Sequence, residues 1–187
     1  MCKLKSAIVL KNKIFMPEYD SHSQMLKELG IKDDYLNASK KFVRVELSPK
    51  NGDAFSDIDT WELTVDQDIK PEWFTEDEYK PLIVEQTKEW AKTHIHIGVV
   101  GLKINSGDNH YIKDCQDVEV CGSATVNEVC GSATVNKVCG SATVISSPYC
   151  KWNNSSTIVL CDNATFKDCY TKTIYQAGSW KLVEVQQ

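Results

Sequence analysis

The sequence predicts a mixed fold: a small α+β head over residues 1–105, then a short parallel β-solenoid over 106–187 with a C-terminal cap. Three observations predict it. Residues 120–146 read VCGSATVNE, VCGSATVNK and VCGSATVIS, three near-copies of one nonapeptide. A unit that short cannot bury an apolar face alone, whereas stacked copies share a core. Residues 1–105 repeat nothing and mix strand-like alternation with helix-like stretches. The 187 residues are 42% apolar and 25% charged, a globular composition of a size for one ordinary domain or two small ones.

In the head, LKSAIVLKNKIFMP reads as two short strands joined at Lys11-Asn12. DSHSQMLKELGI reads as a helix. Asp20 or Ser21 caps its start, Gly30 closes its end, and Met25, Leu26 and Leu29 form its apolar stripe. KKFVRVELSP alternates as a half-buried strand, NGD at 51–53 has turn chemistry, and TWELTVD alternates again. PEWFTEDEYKPLIVEQTKEWAKTHI is the long helix. Thr75 and Glu78 fit a capping box, but Pro81 moves the expected start of regular helix to residue 81. Leu82, Ile83 and Trp90 are expected to face the sheet, and HIHIGVVGLKIN returns as strand.

Within one repeat, Val120, Gly122, Ala124 and Val126 alternate with Cys121, Ser123 and Thr125, a strand with one apolar face. Asn127-Glu128 breaks the alternation and is expected to be the corner. Nine residues per side give two sides and about eighteen residues per coil. Gly and Ala inside imply a thin interior. The frame extends to YIKDCQDVE before the copies and to LCDNATFKD and CYTKTIYQA after them, with a register break of about four residues in SPYCKWNNSSTIV. Tyr175, Trp180, Leu182 and Val183 suit the cap. Stacking by eighteen sets Cys121 over Cys139 and Thr125 over Thr143. The cysteines are expected to be mostly reduced thiols, with one or two bridges as the lesser reading.

The net charge of −5 and pI near 5.4 lack the basic footprint of a nucleic-acid binder, so no direct sequence-specific nucleic-acid binding is expected. The apolar run Ala7–Leu10 is too short for a signal-peptide core or a membrane span, so the expected location is cytoplasmic, without membrane association. In that setting the Asn-x-Ser/Thr triplets at Asn37, Asn153, Asn154 and Asn163 are not glycosylation sites. The calcium-binding Asp and paired glycines of nonapeptide β-rolls are missing from the corners.

Chemistry is sparse. His94-x-His96 is the weak metal candidate, completed by His110 or Cys115. Asp20-Ser21-His22-Ser23 holds the residue types of a hydrolytic site, but a triad is recognised by spatial geometry and these are helix-start residues. Asp66 and Asp68 are two acids at a strand end. Gly-rich phosphate loops, Cys-x-x-Cys and His-Glu-x-x-His are not present in the sequence. The Ser-x-Thr rows resemble ice-binding arrays, which act outside cells and need an export signal. No catalytic residue and no cofactor is expected. Trp73, Phe74 and Trp152 are the candidate exposed anchors, because aromatic residues dominate binding hot spots.

The repeat, together with DSHS, FVRVELSPKNGD, TVDQDIKPEWF, EWAKTHIHIGVVGLKINSG, YIKDC and KTIYQAGSWKL, resembles a family of phage and prophage proteins of gut bacteria, over the whole chain. In that family a similar N-terminal domain precedes a variable number of C-[GD]-[SN]-A-T-V units, and the motifs carry no assigned chemistry. The resemblance implies a viral accessory protein in a bacterial host cytoplasm. The expected function is non-enzymatic binding of a host protein or protein complex, as an inhibitor of a bacterial defence system. Homo-oligomerisation is compatible with this. The rivals are a metal-dependent hydrolase in the head, a sponge for a small nucleotide signal, and a self-assembling structural solenoid.

Overall fold

The computed structural model describes residues 4–147 and 158–178, and the backbone of a last short strand, Val183–Glu184. The chain divides into two compact units, Met1–Lys92 and Thr93–Gln187.

The first unit is built on an antiparallel sheet of order β2-β1-β3-β4, formed by Lys5–Leu10 (β1), Lys13–Phe15 (β2), Phe42–Ser48 (β3) and Glu62–Val65 (β4). β1 and β2 make the hairpin expected at Lys11-Asn12. Helix α1 spans His22–Glu28, and its cap is Ser21, whose hydroxyl accepts from the Gln24 N–H. The Gly30 N–H donates to the Lys27 carbonyl and the Ile31 N–H to the Leu26 carbonyl, a Schellman closure. Asp20 has a different task. Its carboxylate accepts from the Ser6 N–H and from the Lys5 ammonium, at 3.0 Å each. Lys5 is buried, and its ammonium also reaches the Pro17 carbonyl at 2.7 Å. This clamp ties the segment before α1 to β1. Met25 and Leu26 then pack on Ile8 and Phe42.

β3 is not half-buried as its alternation suggests: Phe42, Val43, Val45, Glu46 and Leu47 are all buried. It lies between β1 and β4, and both of its faces are covered. A four-residue helix, Tyr35–Ala38 (α2), capped by Asp34, escaped the sequence reading. Helix α3 runs from Glu76 to His94, straight through Pro81. The expected start at residue 81 is therefore wrong. Proline forgoes a bond to the carbonyl four residues back, and here that residue is Asp77, exposed in the first turn, where the loss is mild. Ile83, Thr87 and Trp90 form the buried stripe, whereas Leu82, one position off it, is 52% exposed rather than facing the sheet.

The second unit is a parallel β-solenoid. Ile95–Ile97 (β5), His110–Lys113 (β7), Thr125–Cys130 (β9), Thr143–Ser146 (β11) and Thr165–Asp168 (β13) stack in one sheet. Lys103–Ile104 (β6), Val118–Val120 (β8), Val135–Val138 (β10) and Val159–Leu160 (β12) stack in the other. Each nonapeptide thus crosses from one wall to the other, and two of them complete the two-sided coil that the period implies. The first coil, β5 and β6, lies inside the stretch that sequence assigned to the head, ahead of the expected boundary at 105. Coil length follows the repeat: Ile95 pairs with Tyr111, Thr125 with Thr143, and Thr143 with Thr165, steps of 16, 18 and 22 residues. The last step carries the four-residue excess expected from the frame break. Residues 148–157, Trp152 among them, lie outside the described residues.

Two expectations about the coil fail. Asn127-Glu128 lies within β9, not at a corner. The corner is Gly-Ser. Gly140 has φ +70° and a Cβ there would stand 2.6 Å from the Gly122 carbonyl oxygen of the preceding coil. Glycine makes the left-handed turn at the lowest cost and lets backbones approach, so the corner falls there. Consequently the repeat glycines do not line the interior. Valine and alanine do, in columns such as Val126, Val144 and Phe166, with Ala124, Ala142 and Ala164 beside them. The second failure is CYTKTIYQA, which does not wind as another coil. Thr173–Gln176 (β14) runs antiparallel to β13, and Val183–Glu184 (β15) antiparallel to β14. The buried Asp168 carboxylate accepts from the Tyr170 and Thr171 N–H groups and so folds the reversing turn. The cap takes this antiparallel form. Tyr175 is 37% exposed with its ring 6.2 Å from Phe166, and Trp180 and Leu182 lie outside the described residues.

Gly98 has φ +67° with nothing near its would-be Cβ, which separates strain from clash. Gly98→Ala is expected to cost about 1 kcal/mol from the left-handed backbone alone. Gly140→Ala is expected to cost about 3 kcal/mol or more, strain and clash together. Urea denaturation read by hydrogen exchange at the β10 and β11 amides measures both.

Candidate functional site

The chemistry-bearing side chains of the solenoid unit gather at its first coil. His94 ends α3, so it is not the strand partner of His96 that the His-x-His spacing suggested. Both rings nevertheless stack on His110 of β7, at centroid distances of 5.0 Å for His94 and 5.6 Å for His96. The His110 Nε2–H donates to the Ser106 carbonyl at 3.0 Å, which leaves Nδ1 as an acceptor 3.4 Å from His96 Nε2. Gly107 makes room, since a Cβ there would stand 3.0 Å from His110 Nε2. His94 Nδ1 is 2.8 Å from the Thr93 hydroxyl, and the buried Cys115 thiol donates to the His96 carbonyl at 3.4 Å. The imidazoles thus lie face on face. Among the described residues, three or more ligand atoms converge within 4.8 Å elsewhere, at His22, Glu46 and Asp66 in the head. Burial, with the neighbouring imidazoles of His110 and His94, holds His96 down to about 4, against an ordinary 6.5.

The lesser cysteine reading holds at one pair, while Cys115, Cys161 and Cys169 are thiols in line with the main expectation. Cys121 and Cys139 form a disulfide, with Cα atoms 4.5 Å apart. Stacking by eighteen residues puts them on adjacent rungs, and rung spacing lies within the range a disulfide spans. Cys161 follows on the next rung, its N–H bonded to the Val138 carbonyl, and remains a thiol. The outer walls carry polar ladders. Thr125, Thr143 and Thr165 align in register, the Asn127 amide donates to Asn109 at 2.7 Å, and Asn136 donates to Asp117 at 3.0 Å. Hydrogen bonds from the Ser132 N–H and hydroxyl hold the exposed Asp114 carboxyl below its usual range.

The aromatic anchors fare unevenly. Phe74 is buried and stacked on Tyr79 at 5.3 Å, so it is a core residue and not an exposed anchor. Trp73 is half-buried; its indole N–H donates to the Lys40 carbonyl at 2.8 Å and its ring meets Tyr79 edge-on at 5.7 Å. The DSHS residues scatter their tasks. Ser21 caps α1, Asp20 binds Lys5, and His22 turns toward β3 and Asp66. Glu46 was missed because its alternation on β3 looked like an ordinary outward position.

No family model, no curated protein and no solved structure matches this chain. Function must then be read from site chemistry. Among the described residues no helix is long and apolar enough to cross a membrane.

Two outcomes follow from this geometry. A digest without reduction is expected to yield the Cys121–Cys139 cross-linked peptide, and Cys139→Ser is expected to cost the solenoid about 3 kcal/mol. A histidine whose folded value lies below its unfolded one favours the folded state fully above pH 6.5, and that contribution fades as pH falls toward 4. Melting temperature is therefore expected to drop across that window, and His96→Gln to flatten the drop.

Proposed function

We propose that the chain is a non-enzymatic accessory protein that binds a partner protein, with the first coil of its solenoid as the docking face. One observation carries this reading: Ile97, Val99 and Val100 are 55%, 39% and 71% exposed, three apolar side chains within four positions. Isolated exposed apolar residues are ordinary, but a cluster marks an interaction surface. β5 is also the terminal strand of its sheet. The corner is held rigid by the second coil: the Gly98 N–H donates to the Lys113 carbonyl at 2.9 Å and the Gly101 N–H to the Gln116 carbonyl at 2.8 Å. A surface already ordered loses little entropy on binding.

On one wall of the last coil, the antiparallel β14 and β15 replace the parallel edge on which a further coil would stack. That works against head-to-tail filaments. The resemblance to phage and prophage proteins supports a narrower form of the proposal. In it the partner belongs to a bacterial host, as a component of a defence system that this chain inhibits.

The test uses the full chain as bait in bacterial lysate, beside Ile97→Asp and Val100→Asp. Wild type is expected to recover one host complex, to bind its purified components, and to restore plating of a phage which that complex restricts. Each variant is expected to weaken the purified interaction about 30-fold or more. Equal binding by wild type and both variants removes the first coil as the docking face.

A further inference from the structure

One face of the head sheet grades from apolar to polar. Ile8 and Phe42 lie at the apolar end, beneath Met25 and Leu26 of α1. Cross-strand partners share a face, so Glu46 on β3 stands between Ser6 on β1 and Thr64 on β4. His22, the first residue of α1, meets this polar end. Its Nε2 lies 3.1 Å from the Val45 carbonyl, which only accepts, so Nε2 carries a proton and Nδ1 is left to face Asp66 Oδ2 at 3.2 Å. A Glu46 carboxylate oxygen lies within 4.8 Å of both. With His22 neutral, the Nδ1 lone pair among carboxylate oxygens is repulsive unless a cation stands between them.

Two further groups ask for that charge. Glu46 is 7% exposed, and among the described residues its carboxylate has no hydrogen-bond or ion-pair partner. Ser6, its neighbour across the ladder, has a buried hydroxyl that is also unpartnered. Native proteins rarely leave a buried hydroxyl such as that of Ser6 unsatisfied.

We propose that His22 Nδ1, Glu46 and Asp66 hold a divalent transition-metal ion. One imidazole with two carboxylates suits Mn²⁺, Fe²⁺ or Zn²⁺. Calcium and magnesium prefer oxygen alone, and the thiolate that Cu⁺ favours is missing from the donor set. The Val45 carbonyl on the far nitrogen is the outer partner that metal-binding imidazoles have, fixing ring and tautomer. Asp66 is held in place as well. Its N–H donates to the Arg44 carbonyl at 2.9 Å, and the next side chain, Gln67, accepts from the Arg44 N–H and donates to the Phe42 carbonyl. Asp66 also lines a cleft of about 620 Å³ with Asp33, Asp34, Asp68 and Arg44. Three protein ligands beside an open cleft leave coordination positions for water, as in metal sites that exchange ligands.

Mn²⁺ and Zn²⁺ titrations of the full chain test this, with the His94–His96–His110 stack as internal control. Wild type is expected to bind one ion. Glu46→Gln and the more exposed Asp66→Asn are each expected to weaken it tenfold or more, while His96→Gln leaves it unchanged. Asp66→Asn carries the test if Glu46→Gln does not fold. Substoichiometric Mn²⁺ is expected to broaden the amide resonances of His22, Glu46 and Asp66 first. The proposal is overturned if wild type binds neither ion at millimolar concentration, if both carboxylate variants bind like wild type, or if broadening centres on His96 and His110. A protonated His22 paired with Asp66, with no ion at all, gives the first of those results.

Discussion

The solenoid depends on how closely the backbone of one coil corner can approach the next. At Gly140 the contact is with the Gly122 backbone of the coil below, and any side chain would occupy the space of that neighbour. Because glycine turns left-handed there, the chain leaves one wall at Val138 and enters the other at Thr143, and parallel pairing continues on both walls. The same closeness makes the interior thin enough for valine and alanine to fill. It also brings Cys121 and Cys139 to bonding distance as a by-product of stacking. A change at the corner would thus reach the ladder, the core columns and the disulfide together.

The head rests on a different device, a buried cation. The Lys5 ammonium gathers the Pro17 carbonyl and the Asp20 carboxylate, and burial lowers its pKa even though Asp20 acts in the opposite sense. The clamp sets where α1 begins, and therefore where His22 meets the sheet. Gln67 fixes the other side by bonding to the β3 backbone just past the end of β4, which places Asp66. Both constraints are polar and long-range, and together they bring residues 22, 46 and 66 to one spot. The histidine stack of the first coil arises differently: parallel pairing sets His96 beside Ile112, and His110, two residues earlier on β7 and so on the same face, is brought alongside.

Much of this architecture was legible because it is periodic. The nine-residue period implied two walls, and the four-residue frame break reappears as the long step between Thr143 and Thr165. What misled the reading was local ambiguity. CGSATV alternates as well as any strand, yet it contains the corner, since a positive φ at glycine outranks alternation. CYTKTIYQA has the right composition for a coil, but the buried carboxylate of Asp168 reverses the chain. Phe74 looked like an anchor beside Trp73 and lies in the core against Tyr79.

Sequence alone determined the period, the two-sided coil, the hairpin at Lys11-Asn12 and both ends of α1, because each follows from contacts within a few residues or from repetition. Tertiary structure alone decided the His22–Glu46–Asp66 convergence, the stacking of three imidazoles and the closure of Cys121 on Cys139. Those depend on strand partners and coil neighbours 14 to 44 residues apart along the chain, and spacing along a chain carries no direct record of proximity in space.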